Sequence, residues 1–420
     1  MRSDPIEVIL IAPNVSEQMG GEAIKSLQIF EILRQEGVPV RQITHGRVRD
    51  ELTKRLPDAP IFYIDDDWLQ RWMWKSKVLR GGIGVIFQWR AARLAESLAK
   101  DSPRAVVHIN SPVSPVMPMF LPRNLPVVIG PVNGNIYYPP AMRSSQPRSW
   151  SFRQLLHPVV QSANRVLFAG RRRANVLLVA GGERTYHSLR LAGCSTDRLR
   201  ESLDSGIPDR LRDIPRIVHQ GPNYRFVHNG RLMAHKGCDL IIRALKKTRT
   251  PATLDIIGRG DDEPRLRALV AELGLTERVN FLPWFSDHRQ VAEALRAYRA
   301  FVLPSLAEAN GIVVQEAMML GLPSICLDWG GPALLLNSES GILVAPTGQE
   351  GIVAGLADAM DRLGEDAQLA ERLSKGGRQQ AIERGFSWSD LIQSWRAIYR
   401  EVAGDVAPAS ARAVGVSPVS

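Results

Sequence analysis

Short runs of β-branched and aliphatic residues alternate along the chain with longer stretches whose apolar positions recur at helical spacing. The short runs are bounded by Gly, Pro, Asn and Asp and show little in-out alternation, as strands buried on both faces do. The longer stretches suit helices that cover a parallel sheet. In the first half, strands are predicted near residues 8–12, 38–44, 61–64, 106–109, 127–129 and 176–179. The pattern then restarts, with strands near residues 225–229, 253–257, 279–282, 300–303, 324–327 and 341–344. The two halves repeat in pattern and not in sequence, which predicts two doubly wound α/β domains in series. Between them Pro208, Pro215, Gly221 and Pro222 cluster, so residues 207–223 are expected to form a hinge.

Length agrees with this division, because 420 residues exceed one compact core and suit two domains of roughly 200 each. The expected boundaries are 1–212 and 216–385, followed by a helix over 386–403. Residues 404–420, rich in Ala, Val, Pro and Ser, are expected to be a disordered tail. No run of about 18 uninterrupted apolar residues occurs, which argues against a spanning helix. Asp4, Glu7 and only a short apolar run open the chain, unlike a secretory signal. Cys194, Cys238 and Cys326 are widely spaced and form neither a disulfide framework nor a Cys-x-x-Cys pair, which suits a reducing cytoplasm. The eight histidines make no His-x-x-x-His pair, no Ser-His-Asp order can be picked out, and no lysine has a flanking pattern for a pyridoxal Schiff base.

Charge changes the picture. The net charge is +10, and up to Pro215 there are 30 basic against 20 acidic residues, with 23 of each after it. Residues 102–182 hold nine arginines and no Asp or Glu, so the first domain is expected to attract an anionic partner. Trp68, Trp72, Trp74 and Trp89 lie among Arg71, Lys75, Lys77, Arg80, Arg90 and Arg93, a mixture that suits an anionic bilayer interface, single-stranded nucleic acid or a core-packed helix with a wet basic face.

Candidate chemistry concentrates in the second half. A predicted strand leads into a loop carrying Gly230, Arg231, Lys236 and Gly237, and then into a helix. Two cations at the carboxyl end of a strand beside a helix N-terminus suit a diphosphate, or are two solvated charges. Farther on, Glu308 and Glu316 are separated by seven residues, and a carboxylate there is either a helix-dipole partner or an acceptor for vicinal hydroxyls. Asp65, Asp66 and Asp67 follow a short strand and suit a divalent metal in principle, but a solvated turn or helix cap explains them better.

The order Gly230-Arg231, Lys236-Gly237, Gly258-x-Gly260, Glu308, Glu316-Ala317-Met318 and Gly321-x-Pro323 resembles the retaining nucleotide-sugar glycosyltransferases of family four, also called glycosyl transferases group one. That resemblance spans nearly all of the second domain. It implies the GT-B fold: two Rossmann-like domains facing a cleft, an N-terminal acceptor domain, a C-terminal nucleotide-sugar donor domain, and a last helix returning to the first domain. It implies Arg231 and Lys236 on the donor diphosphate, Glu308 on the sugar hydroxyls and Glu316 on the ribose. Gly230, Gly258, Asn310, Gly311 and Ile312 would complete the donor cradle, with Gly20 and Gly21 as the first domain's glycine loop. His108 stands where the family often has the first histidine of a His-x-His pair, whose second member is here Asn110. Two departures bear on the donor: Ala309 and Asn310 precede Gly311, and Gly330-Gly331 is followed by Pro332, Ala333 and Leu334 where a glutamate is common.

The activity so implied is transfer of a hexose to a glycan or lipid-linked acceptor in cell-surface or exopolysaccharide synthesis, with neither cofactor nor metal. Under this resemblance the basic half suits a polyprenyl-diphosphate-linked acceptor and an anionic membrane surface rather than nucleic acid. The setting is cytoplasmic, with peripheral docking on the inner face of the membrane. A nucleotide-sugar epimerase of the same fold and a basic nucleic-acid-binding protein remain the alternatives.

Overall fold

The computed structural model describes residues 5–76, 82–112, 114–168, 170–283 and 293–404. Lys77, Arg80 and the expected tail beyond Gly404 lie outside the described residues. The chain divides into two compact units. Unit 1 comprises Met1–Asn135, Leu156–Ser205 and Ser389–Ser420, and unit 2 comprises Ile136–Leu155 and Gly206–Trp388.

Unit 1 is built on a seven-stranded parallel sheet in the order β3-β2-β1-β4-β5-β6-β7. The strands are β1 (Glu7–Ile11), β2 (Val40–His45), β3 (Ile61–Ile64), β4 (Ala105–Ile109), β5 (Val127–Val132), β6 (Val176–Val179) and β7 (Leu199–Glu201). All of β4, β5 and β6 is buried, and helices on either side leave no wet face, which is why these strands read as unbroken apolar runs. The short β7, with Arg200 and Glu201, carries no such run and is legible only in the structure. The last helix, Trp388–Val402, adds Trp395 and Tyr399 to this unit, both buried, with Trp395 Nε1 donating to Ser202 Oγ at 3.1 Å.

Unit 2 holds a six-stranded parallel sheet in the order β10-β9-β8-β11-β12-β13, and its strands fall where the pattern predicts them. They are β8 (Arg225–Asn229), β9 (Thr253–Ile257), β10 (Val279–Leu282), β11 (Ala300–Leu303), β12 (Ser324–Leu327) and β13 (Gly341–Val344). The helix Cys238–Lys247 shows how sequence dictates the packing. Its Leu240, Ile241, Ala244 and Leu245 form one buried stripe, Asp239 stands in the first turn, and Lys246 and Lys247 in the last, each complementing the helix dipole. Each fully buried Leu or Ile contributes about 1.5–3 kcal/mol.

The segment expected to be a hinge is bound into unit 2. Ile217 N–H donates to Leu320 O at 2.8 Å and Asn223 N–H to Gly364 O at 3.1 Å, while the Arg216 guanidinium pairs with Glu371 at 2.5 Å. That pairing holds the Glu371 carboxyl down at about 2. Proline and glycine shape a strap here that these bonds hold to the rest of unit 2. Residues 136–155 also cluster with unit 2, a crossing that apolar periodicity does not reveal.

Candidate functional site

In an open parallel sheet, ligands bind beyond the carboxyl ends of the strands, where the strand order reverses. In unit 2 that reversal lies between β8 and β11, which are paired neighbours. Lys236 follows β8 and Glu308 follows β11, so the switch point sets them side by side. Lys236 Nζ donates to Glu308 Oε2 at 2.5 Å, and both side chains are about 15% exposed or less.

Backbone bonds fix this meeting. The His235 carbonyl accepts from Leu306 N–H at 2.8 Å and from Ser305 Oγ at 3.1 Å, tying the Lys236 loop to the Glu308 loop. Gly237 has φ +70°, and a Cβ there would run into the Pro304 carbonyl. Glycine thus serves both the left-handed turn and the close approach of the loops. Gly258, at φ +152°, lies against the Gly230 carbonyl in the same way, while Gly230 N–H donates to Ile257 O at 3.0 Å. Arg231 is exposed and makes no ion pair among the described residues.

The Glu308 loop continues through Asn310 to Gly311, which caps the helix Ile312–Leu320 carrying Glu316. Burial pushes the Glu316 carboxyl up to about 7. Its neighbour Gln315 is fully buried, with both amide atoms unpartnered among the described residues. The structure thus gathers Gly230, Lys236, Gly258, Glu308, Asn310, Gly311, Ile312 and Glu316 around one sheet end, with Arg231 on the same loop. The arrangement presents cations for an anionic group and carboxylates that accept from hydroxyls.

Aromatic support went unread in the sequence. The Trp150 ring lies 5.9 Å from that of His235 and 6.0 Å from that of Tyr138, and Trp329 Nε1 donates to Tyr137 O at 2.8 Å. The available signal was the aromatic run Tyr137-Tyr138 and Trp150, isolated in a stretch without apolar periodicity. Burial, followed by the nearby Lys236 charge, lowers the His235 pKa, so this ring is neutral at neutral pH.

In unit 1 the reversal falls between β1 and β4. Gly20 and Gly21 open the helix Gly21–Gln35, and a Cβ on either would meet nothing within 4 Å, so no neighbour in the protein requires glycine there. His108 differs from expectation. Its Nε2 lies 2.8 Å from Gly130 O and its Nδ1 2.7 Å from Tyr399 Oη. A carbonyl can only accept, so Nε2 carries the proton and Nδ1 accepts from the Tyr399 hydroxyl. The ring is fully buried and desolvation holds its pKa at about 4. Both nitrogens are therefore committed to the fold, which corrects the expectation of a catalytic His108. The polar group left over is Asn110, buried just past β4, whose amide oxygen and nitrogen have no partner among the described residues.

The three aspartates are individually engaged. Asp65 pairs with Arg49 at 2.7 Å, Asp66 with His45 at 2.9 Å, and Asp67 forms a capping box with Gln70 at the start of the helix Trp68–Trp74. Among the described residues no group of three or more His, Cys, Asp or Glu could hold a metal ion.

Comparison with known proteins bears on these features. Residues 209–380 match the family model for glycosyl transferases group 1. A lipopolysaccharide core biosynthesis glycosyltransferase, LpsD of Rhizobium meliloti, is 36% identical over 150 residues, covering 36% of this chain and 42% of the relative. The chain spans less than half the length of the curated relatives it matches. A glycosyltransferase structure from Rickettsia africae is 15% identical with a TM-score of 0.65, covering 96% of this chain and 100% of that one. Anabaena HepE, solved with UDP and glucose, is 17% identical with a TM-score of 0.59, covering 94% and 99%. Likeness at such identity is one of fold, and the fold is GT-B.

Proposed function

We propose, from the match of residues 209–380 to the family model for glycosyl transferases group 1, that the chain is a retaining glycosyltransferase. It moves a hexose from a nucleotide-diphosphate sugar to a glycan or lipid-linked acceptor in the assembly of cell-surface polysaccharide. The observation that carries this reading is the meeting of Lys236 and Glu308 at the switch point of unit 2.

Each side chain then has a task. Lys236, with Arg231 on the same loop, neutralises the charge that grows on the departing diphosphate, an interaction strongest in the transition state. Glu308 accepts from sugar hydroxyls, and Glu316, when ionised, accepts from the paired hydroxyls of the ribose. Asn110 supplies one donor and one acceptor at the corresponding end of the first sheet, where the acceptor is assigned. Retention needs no protein nucleophile here: the acceptor hydroxyl attacks on the face the diphosphate leaves, and a diphosphate oxygen takes its proton.

LpsD is named for lipopolysaccharide core biosynthesis and HepE was solved with UDP and glucose, which favours a UDP-hexose and a surface glycan for this chain too. The test is a panel of UDP, GDP and ADP sugars scored by thermal shift and by release of nucleotide. One class should raise the unfolding temperature with the logarithm of its concentration, and a flat response to all three would overturn the reading. Nucleotide sugar converted with no transfer to any acceptor would favour an epimerase instead.

A further inference from the structure

The helix Arg148–Leu167 is built inside out. Its buried positions are polar: His157 bonds Ser188 Oγ at 2.8 Å, Gln161 donates to Pro115 O and Ser188 O at 3.0 Å each, and Asn164 donates to Val116 O at 2.9 Å. Its solvent face is apolar. Within unit 1, Val159 is 64% exposed, Val166 79% and Leu167 69%, with Leu156 and Val160 also exposed on the same side. A surface helix ordinarily has the opposite arrangement, and such a stripe marks a surface that something else covers.

The stripe runs into a groove of about 670 Å³ in the same unit, which Leu167, Phe168, Phe120 and Trp89 line with Arg93, Arg123 and Arg173. Arg93 stacks on the exposed Trp89 ring at 4.1 Å. Glu96, also lining the groove, accepts from the Arg123 backbone N–H at 2.7 Å. Arg171, by contrast, is buried on carbonyls of residues 114, 115 and 117 and takes no part in this surface.

We propose that this face of unit 1 docks on an anionic phospholipid bilayer, the valines and leucines entering the acyl boundary and Arg93, Arg123 and Arg173 binding headgroup phosphates. The most exposed side chains of the stripe are aliphatic, with Trp89 and Phe168 only at its margin, so a nucleic-acid strand would find few rings on which to stack. A second copy would bring Arg93, Arg123 and Arg173 against the same three arginines, with Glu96 the single acid among the described residues that line the groove. Leu and Val beside Arg, with Trp and Phe at the margin, are what an interfacial helix requires. This surface belongs to unit 1 and does not depend on the activity proposed above.

Co-sedimentation of the full chain with vesicles tests it. Equimolar phosphatidylglycerol and phosphatidylcholine should pellet the protein, and pure phosphatidylcholine should pellet far less. Val159→Glu with Leu167→Glu, at exposed positions, should cut binding at least about tenfold at an unchanged unfolding temperature. Replacing Arg93, Arg123 and Arg173 with Ala should abolish the preference for anionic vesicles. Equal binding to both vesicles, undiminished binding of the Glu variant, or a dimer that the Glu variant dissociates would overturn the proposal. Should the Glu variant fail to fold, brominated lipid in anionic vesicles should quench a component of fluorescence in the unaltered chain that Trp89→Phe removes, and the absence of such a component would also overturn it.

Discussion

Tyr399 in the last helix donates its hydroxyl to Nδ1 of His108 in β4, joining two positions 291 residues apart through a buried bond of 2.7 Å. Tyr399→Phe would leave that nitrogen buried and unpaired, at a cost of about 1–3 kcal/mol. Urea denaturation should show the loss, and an unchanged midpoint would refute the assigned tautomer.

The same burial makes stability depend on acid. His108 and His228 each have a folded pKa of about 4, against 6.5 for the ordinary side chain. Above about pH 6.5 both states are neutral and nothing is lost. Between there and about pH 4 the unfolded chain takes up protons that the folded chain refuses, and stability falls by about 3 kcal/mol per histidine. Denaturation midpoints at pH 7.5 and pH 5 should differ in that sense, and by less in a His108→Gln variant.

For Lys236, truncation to Ala should lower turnover by about 10²-fold, the scale of losing one donor aimed at developing charge. Because Glu308 would lose its partner, Lys236→Ala and Glu308→Gln should also combine non-additively in a double-mutant cycle. Near-normal turnover in Lys236→Ala would remove the residue from the mechanism.

Glu316 titrates near neutrality, with a pKa of about 7, and only its ionised form presents two accepting oxygens to a diol. Nucleotide binding should therefore tighten as pH rises through about 7, and weaken by up to about tenfold per pH unit well below it. Glu316→Gln should flatten that dependence in titration calorimetry. For stability the sign is opposite to that of the histidines. The folded state holds this proton more tightly than the unfolded one, so the contribution is complete below about pH 4.5 and is lost as pH rises through about 7.

At Gly237 a methyl group would meet the Pro304 carbonyl and force a side chain into the left-handed region. Gly237→Ala should cost about 1–2 kcal/mol in backbone strain alone. It should also raise the donor KM by displacing Lys236. Scanning calorimetry and steady-state kinetics would separate the two effects.

The strands of unit 2 were legible because burial on both faces writes them as short aliphatic runs, as in β12 with its Ser-Ile-Cys-Leu. Lys236 and Glu308 were legible as motif members, but their contact is a product of strand order, which spacing does not encode. His108 was misassigned because its partners, Gly130 and Tyr399, come from other parts of the chain, and a strand-end histidine reads the same whether free or bound. The helix Arg148–Leu167 has a clear apolar stripe. Periodicity alone would turn that stripe inward, and only Gln161 and Asn164, sealed by backbone carbonyls, show which side is the interior.

Because residues 136–155 belong to unit 2 and the helix after Trp388 to unit 1, the chain passes between its units four times. Recombination with a relative by a single cut near residue 212 would strand Trp395 and Tyr399 on the wrong parent, and with them the packing around His108. Exchange of one whole unit between relatives therefore requires that the last helix travel with the first half and that residues 136–155 stay with the second.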